Sequence, residues 1–340
     1  MTHDKQIHQL NQLIFSSSTI TILTHPNPDG DALGSSLALF HALAFQNKNV
    51  KVIIPNSYPA FLKWLPGIDD TIVFDHSPKK AEEQILRSDL IICLDFNTLK
   101  RIERIAPIIR SSQAPLALID HHLEPDSEFQ IQISDTNASS TAELVYDVIL
   151  SLQIMPADLS LIAPCIYVGI MTDTGSFSYS CNHPRPYEIT AKLVESGLDV
   201  AVVHNLVYDT FSESRLRLLG YLLNRKMKVF PSHQAAFISL SLADQIKYNF
   251  QIGDSEGIVN YALSIEGIKL AAFFTEKSDL VRVSLRSKGD LSVNLLARQY
   301  FNGGGHKNAA GGNSYTTLKK TELAFVKMLD QIKDEIINAH

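Results

Sequence analysis

The sequence is poor in cysteine, in tryptophan and in charge. Its three cysteines, Cys93, Cys165 and Cys181, lie far apart and form no Cys-x-x-Cys pair. So sparse and odd a set excludes a disulfide scaffold and a cysteine-based zinc site, fits a reducing compartment, and reads as small buried apolar residues. Trp64 is the single tryptophan, and the other aromatics do not interleave with a basic run. No stacking platform for nucleobases is therefore legible. Charged residues make up 19% of the chain and the net charge is −6, which excludes a strong basic field that would draw in long duplex nucleic acid. An anionic substrate would need a local site of opposite sign, built from metal ions or from a few placed Arg and His. No apolar run reaches about 18 residues, so no membrane span is expected. Residues 3–15 form a polar amphipathic stretch without the basic-then-apolar order of a signal peptide. The expectation is a cytoplasmic protein with no membrane partner.

What is present is an ordinary globular balance, 45% hydrophobic, over 340 residues, a length that suggests two domains. Up to about residue 180, apolar strand-like runs at 20–24, 50–54, 71–74, 89–94 and 115–119 alternate with helix-period segments such as 32–46 and 101–110. Near-continuous apolar strands in β-α alternation point to a parallel sheet covered on both faces. Ligands of such sheets collect at the carboxyl ends of the strands. Three of these strands deliver acids or imidazoles there: His25, Asp29 and Asp31 after the first, Asp95 after 89–94, and Asp120, His121 and His122 after 115–119. Ser140 and Glu143 have capping-box spacing at the start of a helix over 140–152, so Glu143 reads as a cap. An apolar core helix over 157–171 leads into Asp173 and Gly175.

Residues 183–226 read as polar helical layers. Beyond 228 the pattern shifts to antiparallel strands at 234–240, 268–275 and 280–286, a helix over 292–301, a glycine-rich loop over 302–312, and a closing helix over 317–339.

Taken alone, the stretch from His25 to Asp31 serves equally as a metal site or as a helix N-terminal turn capped by Asp31. Acids and imidazoles arriving after other core elements favour the metal. The candidate ligands are His25, Asp29, Asp31, Asp95, His121 and Asp173. Carboxylates with a minority of imidazoles suit Mn²⁺ or Mg²⁺, with Zn²⁺ or Co²⁺ also compatible. So many ligands exceed one ion with open positions. Two ions roughly 3.5 to 4 Å apart would share them, with Asp95 as bridge, and could hold a hydroxide for attack at phosphorus. Gly303, Gly304 and Gly305 could turn backbone N–H groups toward an anion. His306 beside them, and Arg286 with Ser287 after a strand, could grip a phosphate or carboxylate.

These residues, His25-x-x-x-Asp29-Gly-Asp31, Leu94-Asp95, Asp120-His121-His122 and Thr172-Asp173-Thr174-Gly175, resemble the four ordered motifs of the DHH phosphoesterase superfamily. Gly303-Gly-Gly-His306-x-x-Ala309-Ala-Gly311 resembles the signature of the DHH-associated C-terminal domain. Length and the lack of extra modules most resemble the nanoRNase and pAp-phosphatase branch, which trims short oligoribonucleotides and dephosphorylates 3′-phosphoadenosine 5′-phosphate (pAp). The resemblance implies an α/β fold with a parallel-sheet DHH domain (1–185), a helical connector (186–227) and a smaller α+β substrate-binding domain (228–340), with the active-site cleft between the domains. It implies that His25, Asp29 and Asp95 hold one Mn²⁺, and that Asp31, Asp95, His121 and Asp173 hold the other. His122 would contact the scissile phosphate, Asp120 would orient the motif, and Arg286, Ser287, Gly304, Gly305 and His306 would serve the substrate. Family members are often homodimers. Cyclic or linear dinucleotides are the alternative substrates; a pyrophosphatase, a polyphosphatase or a non-catalytic nucleotide-binding module are more distant readings.

Overall fold

The computed structural model describes residues 3–153 and 159–339, and the chain divides into two compact units, Met1–Thr210 and Phe211–His340. The first unit runs α1 (Asp4–Ser16), β1 (Thr19–Leu23), α2 (Gly30–Phe45), β2 (Asn49–Ile54), β3 (Ile72–Val73), α3 (Pro78–Leu86), β4 (Leu90–Leu94), α4 (Ala106–Ser111), β5 (Leu116–Asp120), β6 (Ile131–Ser134), α5 (Thr141–Ser151), α6 (Leu159–Asp173), α7 (Arg185–Glu195) and α8 (Val200–Tyr208). Its six strands are parallel, in the order β3-β2-β1-β4-β5-β6. The strands read as unbroken apolar runs because both faces are covered. In β4, Leu90, Ile92 and Leu94 enter one core while Ile91 and Cys93 enter the other, as the two-residue alternation of a strand requires.

Helix α2 is apolar almost all round and is buried against α5 and α6, as expected of a helix with no solvent face. Gly34 permits this approach. A β-carbon there would run into the carbonyl oxygen of Cys165 on α6.

The second unit comprises α9 (Glu213–Tyr221), a π turn (Leu222–Lys226), β7 (Met227–Phe230), β8 (Ala235–Leu240), α10 (Leu242–Lys247), α11 (Ile258–Leu263), β9 (Leu270–Glu276), β10 (Val281–Ser287), α12 (Val293–Tyr300), β11 (Gly304–Gly305), β12 (Ala309–Ser314), α13 (Leu318–Gln331) and α14 (Lys333–Asn338). Its sheet has the order β11-β12-β10-β9-β8-β7. The sheet is mixed rather than antiparallel, because β8 and β9 pair in parallel. Along β8, Ala235 and Phe237 face one core, and Ala236, Ile238 and Leu240 face the other.

Several elements depart from the sequence reading. The expected connector over 186–227 is not a separate body: α7 and α8 pack on α6 in the first unit, and α9 belongs to the second. The expected helix over 101–110 is a 3₁₀ turn (Leu99–Ile102) followed by α4, with Pro107 in the first turn of α4, where its missing N–H costs nothing. The closing helix breaks at Ile332, which turns into the core at φ −107°. The strands β6, β7, β11 and β12 are short or glycine-rich and escaped the pattern. The first two residues of the helix expected over 157–171 lie outside the described residues. Among the described residues no helix is long and apolar enough to cross a membrane.

Candidate active site

The strand order of the first unit reverses between β1 and β4, and in doubly wound sheets a crevice forms outside the carboxyl ends at that point. The loops after β1, β4 and β5 converge there. After β1, Asn27 adopts φ +55°, and its N–H donates to Asn56 Oδ1 at 2.6 Å, tying the loop to the end of β2. Asp29 is the N-cap of α2, and its Oδ1 accepts from the N–H groups of Asp31 and Ala32, each at 3.1 Å. The cap therefore belongs to Asp29, and the alternative in which Asp31 caps the helix falls away.

Asp31 sits two residues further on, in the first turn of α2, 1% exposed. Its Oδ2 accepts from Thr141 N–H at 2.7 Å and its Oδ1 from Ala142 N–H at 2.8 Å. The unpaired donors at the start of α5 thus orient this carboxylate, with the favourable end of the helix dipole behind them.

Asp95 follows β4 at φ +64°, a left-handed conformation that non-glycine residues adopt at some cost and that clusters at functional sites. Its Oδ1 accepts from Thr141 Oγ1 at 3.0 Å, and its Oδ2 lies 3.2 Å from His25 Nε2. His25 Nδ1 is 3.0 Å from the Pro26 carbonyl and His121 Nδ1 is 3.3 Å from the Ala138 carbonyl. Each Nδ1–H donates to its carbonyl, which turns the Nε2 lone pair toward the carboxylates. His121 Nε2 lies 3.3 Å from Asp173 Oδ2, 3.6 Å from Asp95 Oδ1 and 3.8 Å from Asp31 Oδ2. Asp173, the last residue of α6, reaches this point because α6 packs closely on α2. A β-carbon on Gly169 would meet the Ala142 side chain and lie 2.8 Å from Asp31 Oδ1.

His122 Nδ1–H donates to Asp120 Oδ1 at 2.7 Å. Asp120 is fully buried, and its Oδ2 has no partner among the described residues. Glu143 acts as the sequence indicated. Ser140 Oγ accepts from its N–H at 3.2 Å. The reciprocal bond goes to Ser139, whose N–H and hydroxyl both donate to Glu143 Oε2, and His183 Nε2 lies 3.2 Å from Glu143 Oε1.

Two donor clusters result. His25, Asp29 and Asp95 offer atoms within 4.8 Å of one another, and so do Asp31, His121 and Asp173. A third grouping joins Asp95, Asp120 and His122. The electrostatics match a cation site. Burial, and then the neighbouring carboxylates, hold Asp31 and Asp95 well above the usual carboxylate range. Burial also raises Asp120 and lowers His25, His121 and His122, His122 most strongly. Buried carboxylates facing each other beside neutral imidazoles are costly alone and complementary to a divalent ion. The six predicted metal ligands are therefore brought together. Reading by residue type missed Thr141, Ala142 and Ser139, which hold the acids, and Gly34 and Gly169, which let the helices close. The capping-box spacing at Ser140 and Glu143 was the signal for the first group, since it announces a helix start whose free N–H groups need an acceptor.

The second predicted group lies at one end of the second sheet, where Arg286 pairs with Ala309 across β10 and β12, and Gly305 with Ala310 across β11 and β12. Ser287 is buried; its hydroxyl donates to Leu291 O at 2.6 Å and accepts from Asn308 Nδ2. Gly305, at φ +146°, donates its N–H to Asn294 Oδ1 at 3.0 Å. A β-carbon on Gly303 would strike the Gly311 carbonyl. The glycines thus serve close strand approach, and the turn they form carries His306.

Residues 19–170 match the model of the DHH family, N-terminal domain, and residues 236–337 match the DHHA1 domain. A Streptococcus mutans protein named as a probable bifunctional oligoribonuclease and PAP phosphatase, NrnA, is 31% identical over 90% of this chain and 92% of its own length. The chain belongs to the DHH family. It is accordingly a hydrolase of phosphoester bonds. The Bacillus subtilis protein named bifunctional oligoribonuclease and PAP phosphatase NrnA is 29% identical over 91% of this chain and 93% of its own. Among solved structures, an exopolyphosphatase-related protein from Bacteroides fragilis superposes with a TM-score of 0.92 at 42% identity, covering 98% of both chains. Thermus thermophilus RecJ with Mn²⁺ gives 0.59 at 15% identity over 97% of this chain and 55% of its own, a likeness of fold alone.

Proposed function

We propose that this DHH-family enzyme hydrolyses short oligoribonucleotides to mononucleotides and pAp to AMP, using two divalent cations, Mn²⁺ by preference. The observation that carries the reading is the pair of donor clusters flanking Asp95, with His121 Nε2 3.6 Å from one Asp95 oxygen and His25 Nε2 3.2 Å from the other. His25, Asp29 and Asp95 would hold one ion, and Asp31, Asp95, His121 and Asp173 the other. When bound, such a pair supplies Lewis acidity to phosphoryl oxygens and makes water a competent nucleophile near neutral pH. The chain's own groups do the rest. Thr141 and the first turn of α5 fix Asp31 and Asp95. Asp120 holds His122 in the tautomer whose Nε2 faces outward to the scissile phosphate. Arg286 and His306 bind the phosphate or base of the substrate, on a turn shaped by Ser287, Gly304 and Gly305. The relatives named NrnA support the substrate class.

The test is a panel of pAp, pApA, a five-nucleotide RNA, cyclic di-AMP and pyrophosphate, each with and without Mn²⁺. The proposal expects turnover of the first three with metal, and none after chelation. Turnover confined to cyclic di-AMP would move the substrate to dinucleotides, and turnover confined to pyrophosphate would overturn the nucleotide reading.

A further inference from the structure

The segment that follows Asp95 carries four cations within eleven residues, Lys100, Arg101, Arg104 and Arg110, and two of them are drawn into ion pairs elsewhere. Arg104 pairs with Asp75 and Arg110 with Glu128 at 2.7 Å, and the charge of Lys100 is directed at that second, exposed pair. Arg101 is different. Its side chain is exposed, and its guanidinium makes no ion pair or hydrogen bond among the described residues. An arginine with no ion pair of its own, its charge directed at the acids of the site, is available to another anion.

The turn aims it. Leu99 and Ile102, at 0% and 2% exposure, anchor the 3₁₀ turn in the core beneath β4. Asn97 Nδ2 donates to Leu123 O at 2.7 Å, Asp126 N–H donates to Asn97 O at 2.8 Å, and Thr98 Oγ1 donates to Asp126 Oδ2 at 3.0 Å. The turn that carries Arg101 is thus stapled to the loop that follows His121 and His122, and joins the second and third acidic loops of the site. The arginine's positive charge is felt at His25, Asp95, Asp120 and His122 together. One guanidinium whose charge reaches residues of three loops, on a turn tied to the third of them, lies near the site they form. It cannot serve as a metal ligand, since it stays protonated and offers no lone pair.

We propose that Arg101 is a substrate-binding residue, gripping a phosphate of the nucleotide beside the donor clusters. This rests on the phosphoesterase reading above and adds to it a cation supplied by the catalytic unit itself. A planar fork matches two phosphate oxygens, which lysine does as a point charge only. Arg101 would lower KM and steady the departing or retained phosphate without altering metal occupancy.

The experiment compares wild type, Arg101→Ala and Arg101→Lys in the full chain, each with Mn²⁺. Three quantities are read: Mn²⁺ binding by calorimetry, AMP binding by the same method, and kcat/KM on pAp. The expected result is unchanged Mn²⁺ affinity, AMP binding weakened about 10- to 100-fold in Arg101→Ala, and a matching or larger fall in kcat/KM. Arg101→Lys should recover part of it, and added guanidinium should partly rescue Arg101→Ala. Arg101→Ala with wild-type AMP binding and wild-type kcat/KM would overturn the proposal while leaving the phosphoesterase reading intact. Loss of Mn²⁺ binding in Arg101→Ala and Arg101→Lys alike would also overturn it, by making the role structural. If wild type turned over no member of the panel yet bound AMP more tightly than Arg101→Ala, the reaction would be misassigned and the arginine correctly placed.

Discussion

Thr141 offers the sharpest test of how the site is held, because a single hydroxyl can be exchanged there for a methyl group. Its hydroxyl donates to Asp95 Oδ1 at 3.0 Å while its backbone N–H donates to Asp31 Oδ2 at 2.7 Å. Thr141→Val removes only the first bond and preserves the shape of a fully buried side chain. In the metal-free protein the loss should be small, because burial and the neighbouring carboxylates push Asp95 toward its neutral form, and a hydrogen bond between neutral groups is worth about 1 kcal/mol. In the loaded protein Asp95 must be ionised, and the lost donor served a charge. Groups that brace metal ligands typically govern affinity by 10- to 100-fold, about 1.4 to 2.8 kcal/mol. The prediction is Mn²⁺ affinity weaker by that factor in Thr141→Val, with urea midpoints of the metal-free proteins close together. Thr141→Ser keeps the hydroxyl and should bind as wild type does. Calorimetric titration reads all three. Equal affinities for wild type and Thr141→Val would refute the idea that α5 positions the bridging carboxylate.

Two further outcomes follow from packing and from charge. Gly169→Ala gains roughly 1 kcal/mol of helix propensity but forces a methyl against Ala142 and Asp31, an overpacking cost of about 1 to 3 kcal/mol; net destabilisation with weakened Mn²⁺ binding is expected in urea melts and calorimetry, and a more stable variant would contradict the close approach of α5 and α6. Asp89 Oδ2 accepts from the Ser18 and Thr19 N–H groups at 2.9 and 2.8 Å, which hold its carboxyl below its ordinary value. Its contribution, a few tenths of a kcal/mol for so exposed a group, is present above about pH 3.9 and lost as the pH falls through the folded value; the stability gap between wild type and Asp89→Ala should therefore close in acid, and a gap that widened there would reverse the sign of this account.

Much of the first unit was legible because its strands are long, apolar and followed by acids. The continuous burial of β4 and β5 is what their sequences state. The candidate metal ligands stood out for the same reason, since acids and imidazoles at the carboxyl ends of parallel strands leave a repeating signature. What stayed hidden was relational. Nothing in the residue types of Thr141 or Ala142 says that their N–H groups meet Asp31 on another helix. The cap fell on Asp29 rather than Asp31 because a local turn and a distant helix start compete for two similar carboxylates. The glycine-rich loop looked like an anion cradle by composition, yet Gly303 and Gly305 answer to neighbouring strands and to Asn294. Ile332 ends α13 in a stretch with neither glycine nor proline, so only the core it enters marks the break.

The central claim is that one buried cluster holds two cations across Asp95. Anomalous diffraction at the manganese edge, from crystals grown with Mn²⁺, tests it most directly. The account predicts two peaks, one within ligand distance of His25, Asp29 and Asp95, the other of Asp31, Asp95, His121 and Asp173. A single peak, or density that leaves Asp95 outside both coordination spheres, would contradict it.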